Sequence, residues 1–284
     1  MNKEYRYRNH IRWGQYIIPI VTLVTIVLLG GFVTVAIFMM PPGLGFPNLL
    51  RTGMFWILAV EIAILAAEGS LGWFLVYRMA GIRVSFENDV IVYKYRRGEK
   101  RIKLESITAI KLSTIPYLGG WMIIISGKEK IRLTVVLEEI GDFIQTLKAS
   151  LDRLGLSNRY NESKLFLFLK TAVLADQSWD RIYSLFWKLI FVAIGNGLIG
   201  FLIASIFGGD QFFWIILYIS AIYPILVYLG TEIAFARRIA KTSVKESFFV
   251  PKREIVYENS VYKKFAIIGG LIYFAIAILI LFLR

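Results

Sequence analysis

The chain has 284 residues, of which 57% are hydrophobic and only 19% are charged, a composition too apolar for the surface of a soluble protein. The absence of cysteine excludes disulfides, thiolate metal sites and cysteine nucleophiles, and the single histidine, His10, leaves no histidine-built metal site and no Ser-His-Asp triad. The formal net charge of +13 is typical of a membrane protein whose basic loops face anionic lipid, so we expect no nucleic-acid partner.

Five segments are apolar enough to cross a hydrocarbon core as helices, which takes about 20 residues each. They run approximately over Ile17–Met40, Gly53–Tyr77, Leu185–Phe207, Gln211–Phe235 and Phe265–Leu283. The first is too long for the apolar part of a signal peptide, and prolines follow it where a cleavage site would need small residues. We therefore interpret it as a permanent anchor and predict an α-helical transmembrane bundle of about five helices.

The positions of lysine and arginine predict the orientation of this bundle. Basic residues precede the first span and crowd the connection 236–264 between the fourth and fifth, whereas the turn after the first span carries only Arg51. By the positive-inside rule, the N-terminus and the region between the second and third spans are cytoplasmic, and the C-terminus is on the far side. Aromatic residues near the helix ends fit an interfacial belt: Trp13, Tyr16, Trp73, Tyr77, Trp187 and Trp214.

Residues 79–155 have a different pattern, in which apolar and polar residues alternate and turn residues recur. The alternation predicts about six short strands, at 82–86, 90–96, 102–104, 107–113, 121–126 and 130–136. From Ile140 to Leu154, apolar residues recur every three or four positions, acidic residues precede them, and Gly155 follows, which predicts a helix. The segment is thus predicted to be a small antiparallel β-domain, capped by one α-helix and inserted between the second and third spans.

This order of elements resembles the bacterial pleckstrin-homology-like domain, which is found in membrane proteins of unknown role. The residues that carry the resemblance are the basic hairpin Tyr93–Arg101, the stretch Ile102–Leu112 and the segment Gly120–Leu133. Two preceding transmembrane helices also fit the layout of that family. The resemblance implies a seven-stranded fold. It also suggests lipid binding, since eukaryotic relatives bind inositol phospholipids through the corresponding region, although the spacing of their motif is not reproduced here.

The predicted organisation is therefore an N-terminal segment with two spans (1–78), the β-domain (79–155), a linker (156–184) and three further spans (185–284). Within the linker, apolar residues of 161–180 share one helical face. We expect an amphipathic helix lying in the plane of the membrane surface, with a strand as the alternative.

Two carboxyl groups, Glu61 and Glu68, lie within the second span, where an ionised side chain is costly. Seven residues return a helix to nearly the same direction, so both point from one face, about 10 Å apart along the axis. Three interpretations remain open: protonated groups bonded to neighbouring helices, pairing with another subunit, or a proton or cation pathway. Further polar candidates are Asn196, as a hydrogen-bond partner within the bundle, and Glu232, as an interfacial ion pair with Arg237 and Arg238.

Small residues at helical spacing predict close helix packing on two spans. On the second span they lie opposite the carboxyl groups, and on the third they suit either internal packing or self-association. The predicted packing residues are Ala59, Ala63, Ala66, Ser70, Ala193, Gly197, Gly200 and Ala204.

Eight basic residues are candidates for binding lipid headgroups or a protein partner. Each basic residue near an anionic surface contributes about 1 kcal/mol of attraction. The alternative is a solvated charged hairpin. The residues are Lys94, Arg96, Arg97, Lys100, Arg101, Lys103, Lys128 and Lys130.

No nucleotide fingerprint, phosphate-cradling glycine loop or metal-ligand cluster appears in the sequence. We therefore predict a non-enzymatic scaffold or binding subunit of the bacterial cytoplasmic membrane, without a cofactor. Its partners would be membrane lipids and the other subunits of a homo- or hetero-oligomer. The alternative function is a transport component that handles a proton, a cation or a lipid through Glu61 and Glu68.

Overall fold

The computed structural model describes residues 3–39, 53–203, 205–206 and 209–282. In this part of the chain, four helices are long and apolar enough to cross a membrane: Asn9–Met39, Phe55–Ala80, Glu162–Ile203 and Leu217–Thr242. Four of the predicted spans are thereby confirmed as helices of sufficient length and composition. The predicted span ends Met40, Phe207 and Leu283 and the turn 41–52 with Arg51 lie outside the described residues.

The chain forms two compact units, one of residues 1–107 and 126–131 and the other of residues 108–125 and 132–284. The first unit combines the first two long helices with a four-stranded sheet. Its elements in chain order are β1 (Glu4–Arg6), α1 (Asn9–Met39), α2 (Met54–Ala80), β2 (Arg83–Glu87), β3 (Val90–Tyr95) and β4 (Gly98–Lys103).

The sheet of the first unit has the strand order β1-β2-β3-β4, and every neighbouring pair is antiparallel. Asn88 and Asp89 have positive φ in the turn between β2 and β3, as a two-residue hairpin of this twist requires. Strand β1 comes from the N-terminal segment and pairs Tyr5 with Val84 of β2. The sequence prediction missed β1, because a three-residue strand shows too little alternation to be recognised.

Helices α1 and α2 pack against each other through small residues. A methyl group added at Gly69 of α2 would lie 2.4 Å from the Thr22 hydroxyl oxygen, and one at Gly14 of α1 would lie 3.2 Å from a Val76 methyl group. The start of α1 is therefore next to the end of α2. This brings β1, which precedes α1, to β2, which follows α2.

The remaining strands and helices belong to the second unit, except for residues 126–131, which belong to the first. In chain order they are β5 (Ala109–Ile115), β6 (Gly119–Ser126), β7 (Glu129–Thr134), α3 (Ile140–Arg153), α4 (Glu162–Ile203), α5 (Gly209–Thr242) and α6 (Ile255–Phe282). The three strands form a sheet in the order β5-β6-β7, and the unit boundary passes through β7 and the end of β6. The predicted six strands and the helix after them are thus all present.

Helix α4 corrects the prediction for residues 161–180. The segment is helical, so the strand alternative is wrong, but it continues without a break into the third predicted span as one helix of 42 residues. Its apolar residues Leu165, Phe168 and Leu169 are fully buried. They face protein rather than lipid, because the Thr171 hydroxyl accepts a hydrogen bond from the backbone of Tyr117 and Gly141 of α3 lies against Val173.

Helix α6 packs along α5 and contains the fifth predicted span as far as Phe282. Phe265 covers Gly230, where a methyl group would approach the ring to 2.7 Å. The Tyr223 hydroxyl donates to the Ala266 carbonyl at 2.8 Å. The connection between the two helices is residues 243–254, shorter than the predicted connection 236–264, since α5 ends at Thr242 and α6 begins at Ile255.

Candidate functional site

Six of the eight basic candidates lie on the β3–β4 hairpin. The other two are Lys128, in the turn before β7, and Lys130, near the start of β7. All eight are exposed except Lys100, which is half-buried. The ammonium of Lys100 donates to the Lys130 carbonyl at 3.2 Å, so the hairpin and the start of β7 are in contact within the first unit. Arg101 is partly neutralised by Glu99 at 2.8 Å and Glu87 at 3.9 Å.

A cleft of about 400 Å³ lies in the first unit where the sheet meets the helices. None of the eight described residues that line it is acidic, and four are arginines. They are Arg6, Arg12, Gln15, Ala80, Gly81, Ile82, Arg83 and Arg96. We call this the arginine cleft. Of its residues, the sequence prediction included only Arg96.

Arg96 is held in place by the last turns of α2 and the first turns of α1. Its Nε donates to the Tyr77 carbonyl at 3.2 Å, its guanidinium lies 3.8 Å from the centre of the Tyr77 ring, and an Nη donates to the Gln15 side chain. Gly81 makes room for this arrangement, because a methyl group there would lie 2.4 Å from the Arg96 Cγ. The guanidinium is thus positioned before any ligand arrives.

The other three arginines come from β1, α1 and β2. Arg6 donates through Nε to Glu4 at 2.8 Å, and Arg83 lies 3.8 Å from the other oxygen of the same carboxylate. Arg12 donates to the side chain of Asn9. The lining thus has four guanidinium groups and no acidic side chain among its described residues. The cleft is therefore an electropositive recess able to bind an anion.

The second unit contains a buried ionic cluster that links α4, α5 and α6. Arg181 of α4 is 1% exposed and donates to both oxygens of Glu232, at 2.8 and 2.6 Å, and to Glu258 at 2.9 Å. Ser178 donates to Glu232 at 2.6 Å, and Arg253 donates to Glu258 at 2.8 Å. Two arginines and two glutamates cancel in formal charge, so the cluster fastens the helices and does not attract ions.

This cluster corrects the prediction for Glu232. Arg237 and Arg238 are near it in sequence, but Glu232 pairs with Arg181, while Arg238 pairs with Glu254 at 2.7 Å. Arg181 was not among the predicted site residues, because its partners Glu232 and Glu258 belong to helices far along the chain. An arginine within a helix of a largely apolar region was the one available signal.

The two carboxyl groups predicted to lie within the second span, Glu61 and Glu68, are both exposed on α2. Their neighbours Ile57 and Ile64 are also exposed, at 60% and 52%. Asn196 is half-buried on α4.

The predicted small-residue stripes are only partly enclosed. On α2, Ala59 and Ala66 are half-buried while Ala63 and Ser70 are exposed, and Gly69 makes the close approach to α1. On α4, Ala193 and Gly197 are half-buried, Gly200 is buried, and Ala204 lies outside the described residues.

The arginine cleft escaped prediction because its residues come from four separate segments. A sequence pattern within one segment reveals a hairpin, but not a recess that β1, the start of α1, residues 80–83 and the β3–β4 turn build together. A comparison with known proteins finds no matching family model, no matching curated protein and no matching solved structure.

Proposed function

We propose that this chain is a non-enzymatic, membrane-anchored binding protein whose basic β-hairpin engages anionic lipid headgroups at the cytoplasmic face of a bacterial membrane. One observation carries the proposal. The basic hairpin β3–β4 belongs to the same compact unit as α1 and α2, two helices able to cross a membrane. Strand β2 directly follows α2, so the sheet is tethered close to the headgroup layer.

Two further observations support this proposal. Six strands lie between α2 and α3, β1 adds a seventh from the N-terminal segment, and α3 follows the last strand; this order of elements supports the resemblance to the bacterial pleckstrin-homology-like domain. The distribution of lysine and arginine supports the cytoplasmic placement of the hairpin.

We also propose that the protein works within an oligomeric membrane complex. Glu61 and Glu68 are exposed on α2 among apolar side chains. Carboxyl groups facing hydrocarbon are costly, so a neighbouring subunit with hydrogen-bonding groups would stabilise this face.

The lipid proposal is tested with the full-length chain in nanodiscs, either of phosphatidylcholine alone or with about a third of phosphatidylglycerol. Acetylation rates of Lys94, Lys103 and Lys128 with a water-soluble reagent are measured by mass spectrometry against a free lysine peptide in the same sample. We expect these rates to fall several-fold in the anionic discs and to recover at high salt, because screening weakens attraction between exposed charges.

The variant Arg97→Glu/Lys130→Glu is expected to lose this protection, whereas the control Lys111→Glu/Lys164→Glu, with the same change of charge elsewhere, is expected to keep it. Equal acetylation rates in both kinds of disc would overturn lipid engagement and make a protein partner the better explanation for the basic hairpin.

A further inference from the structure

We propose that the arginine cleft is a discrete binding site for an anionic phosphate group, such as that of a phospholipid headgroup. This inference rests on the proposed function for the position of the cleft at the membrane surface. The inference goes beyond the proposed function because it names one site that binds one ligand molecule. Of the eight basic candidates, only Arg96 belongs to this site.

The chemistry of the cleft favours phosphate. Guanidinium groups present planar pairs of N–H donors that match two oxygens of a phosphate, and such charge-assisted hydrogen bonds are among the strongest in proteins. Four guanidinium groups from four segments converge on one recess. A volume of about 400 Å³ is within the usual range for small-ligand sites, and it would hold a phosphate with a glycerol-sized substituent.

The arginines are also arranged in advance. Tyr77 and Gln15 fix the guanidinium of Arg96. Glu4 contacts both Arg6 of β1 and Arg83 of β2 and so holds these two side chains close together. Preorganised donors lose less conformational entropy when a ligand binds. A phosphate that enters the cleft would therefore meet guanidinium donors already in place.

The position of the cleft points to the headgroup layer. Arg12 and Gln15 lie in the first turns of α1, next to the exposed rings of Trp13 and Tyr16. At the matching end of α2, the ring of Trp73 lies 5.1 Å from that of Tyr77, which contacts Arg96.

Tryptophan and tyrosine concentrate at the level of lipid headgroups in membrane proteins. The cleft shares this level with the aromatic residues, so its arginines would meet phosphates rather than acyl chains or bulk water.

The test uses the full-length protein in a mild non-ionic detergent and native mass spectrometry. The probes are short-chain phosphatidic acid, phosphatidylglycerol and phosphatidylcholine. We expect one molecule of either anionic lipid to bind about tenfold more tightly than phosphatidylcholine, and the variant Arg83→Gln/Arg96→Gln to lose about tenfold in affinity or more.

Two variants control for folding and for diffuse charge. Arg83→Gln alone changes a side chain that is 52% exposed, so it leaves the fold intact and should still weaken binding. Arg97→Gln removes the neighbouring charge outside the cleft and should change affinity less than twofold. Unchanged affinity in the cleft variants, or an equal loss in Arg97→Gln, would overturn the site.

A second set of probes separates the two sources of phosphate. If glycerol 3-phosphate or inorganic phosphate binds as tightly as phosphatidic acid, the phosphate site stands and its assignment to a lipid falls. Failure of the proposed function is visible separately. In that case the hairpin lysines show no protection in anionic nanodiscs, while binding in detergent still depends on Arg83 and Arg96.

Discussion

Arg181 shows how a single residue fastens three helices. Its guanidinium makes three hydrogen bonds to two carboxylates and lies 4.3 Å from the centre of the Phe235 ring. Breaking a buried ion pair by removing one partner is strongly destabilising, because the remaining charge stays in a medium of low polarity.

Replacing Arg181 with methionine keeps an unbranched apolar side chain and removes the charge. We expect the free energy of unfolding to fall by about 3–5 kcal/mol, seen as a lower melting temperature of the detergent-solubilised protein by tryptophan fluorescence. The exposed Arg237→Met on α5 serves as control and should melt like the wild type. Combining Arg181→Met with Glu232→Gln should recover part of the loss, and a single variant that melts normally would contradict the role of the cluster.

Asp152 of α3 gives a pH-dependent contribution to stability. Burial raises the pKa of Asp152, but hydrogen bonds from Lys148, at 2.6 Å, and from Tyr160 lower it more, so its pKa is below the ordinary value. The folded state thus favours the ionised carboxylate. The stabilisation is present above the ordinary pKa of the group and is lost as the pH falls through its folded value.

We expect the melting temperature of Asp152→Asn to lie below that of the wild type near pH 6, and the difference to shrink as the pH approaches about 3. The exposed Glu246→Gln should show no such convergence. Burial and the bond to Asp152 also raise the pKa of Tyr160 to about 12, so Asp152→Asn should lower it in an ultraviolet titration. A melting difference that stays constant with pH would exclude this role of Asp152.

At the scale of elements, α1 approaches α2 more closely at Gly69 than at Gly14. Gly69 faces Thr22 with no room for a methyl group, whereas Gly72, one turn further along the same helix, has nothing within 4 Å. This pair allows crowding to be separated from the general effect of glycine in a helix.

We expect Gly69→Ala to destabilise the first unit by about 1–3 kcal/mol through overpacking. Gly72→Ala should be neutral or stabilising by up to about 1 kcal/mol, since alanine is the better helix former. Melting temperatures of both variants in detergent test this, and adding Thr22→Ala to Gly69→Ala should restore stability. Equal changes in melting temperature for Gly69→Ala and Gly72→Ala would show that the close approach at Gly69 does not contribute to stability.

Local patterns were sufficient to predict most elements. Alternation located six strands, and three- and four-residue spacing located α3, because each pattern reflects one buried face of one element. The continuity of α4 was not predictable in the same way. The amphipathic stripe at Leu165 and Phe168 is the same whether it faces lipid or protein, and only the structure shows that it is covered by protein.

The same distinction, between local patterns and contacts made by distant segments, applies to the candidate sites. The basic hairpin was predictable because its residues are consecutive, and Arg96 was among them. Arg6, Arg12 and Arg83 were not predicted as site residues, because their convergence depends on β1 pairing with β2 across two long helices.

At the scale of the whole molecule, the exposed face of α2 is the surface that tests the proposed assembly with other subunits. Glu61 and Glu68 lie exposed beside Ile57 and Ile64 on a helix long enough to span a membrane. If these carboxyl groups are hydrogen-bonded structural groups, a neutral amide can take their place.

We expect Glu61→Gln/Glu68→Gln to keep the oligomeric mass measured by light scattering in mild detergent, and also the binding of anionic lipid. Glu61→Lys/Glu68→Lys should reduce the oligomeric mass, because it places uncompensated positive charge against the same partner groups. Intact assembly with loss of proton or cation flux in the glutamine variant would instead support transport.

The pairing of β1 with β2 also constrains the order in which the elements of the first unit can fold. Tyr5 leaves the ribosome early, yet its partner Val84 appears only after both α1 and α2 have been synthesised. Contacts between residues far apart in sequence form slowly. If α1 and α2 cross a membrane, the first strand must stay on the side to which α2 returns the chain. Correct packing of α1 against α2 is then a condition for completing the sheet and the arginine cleft.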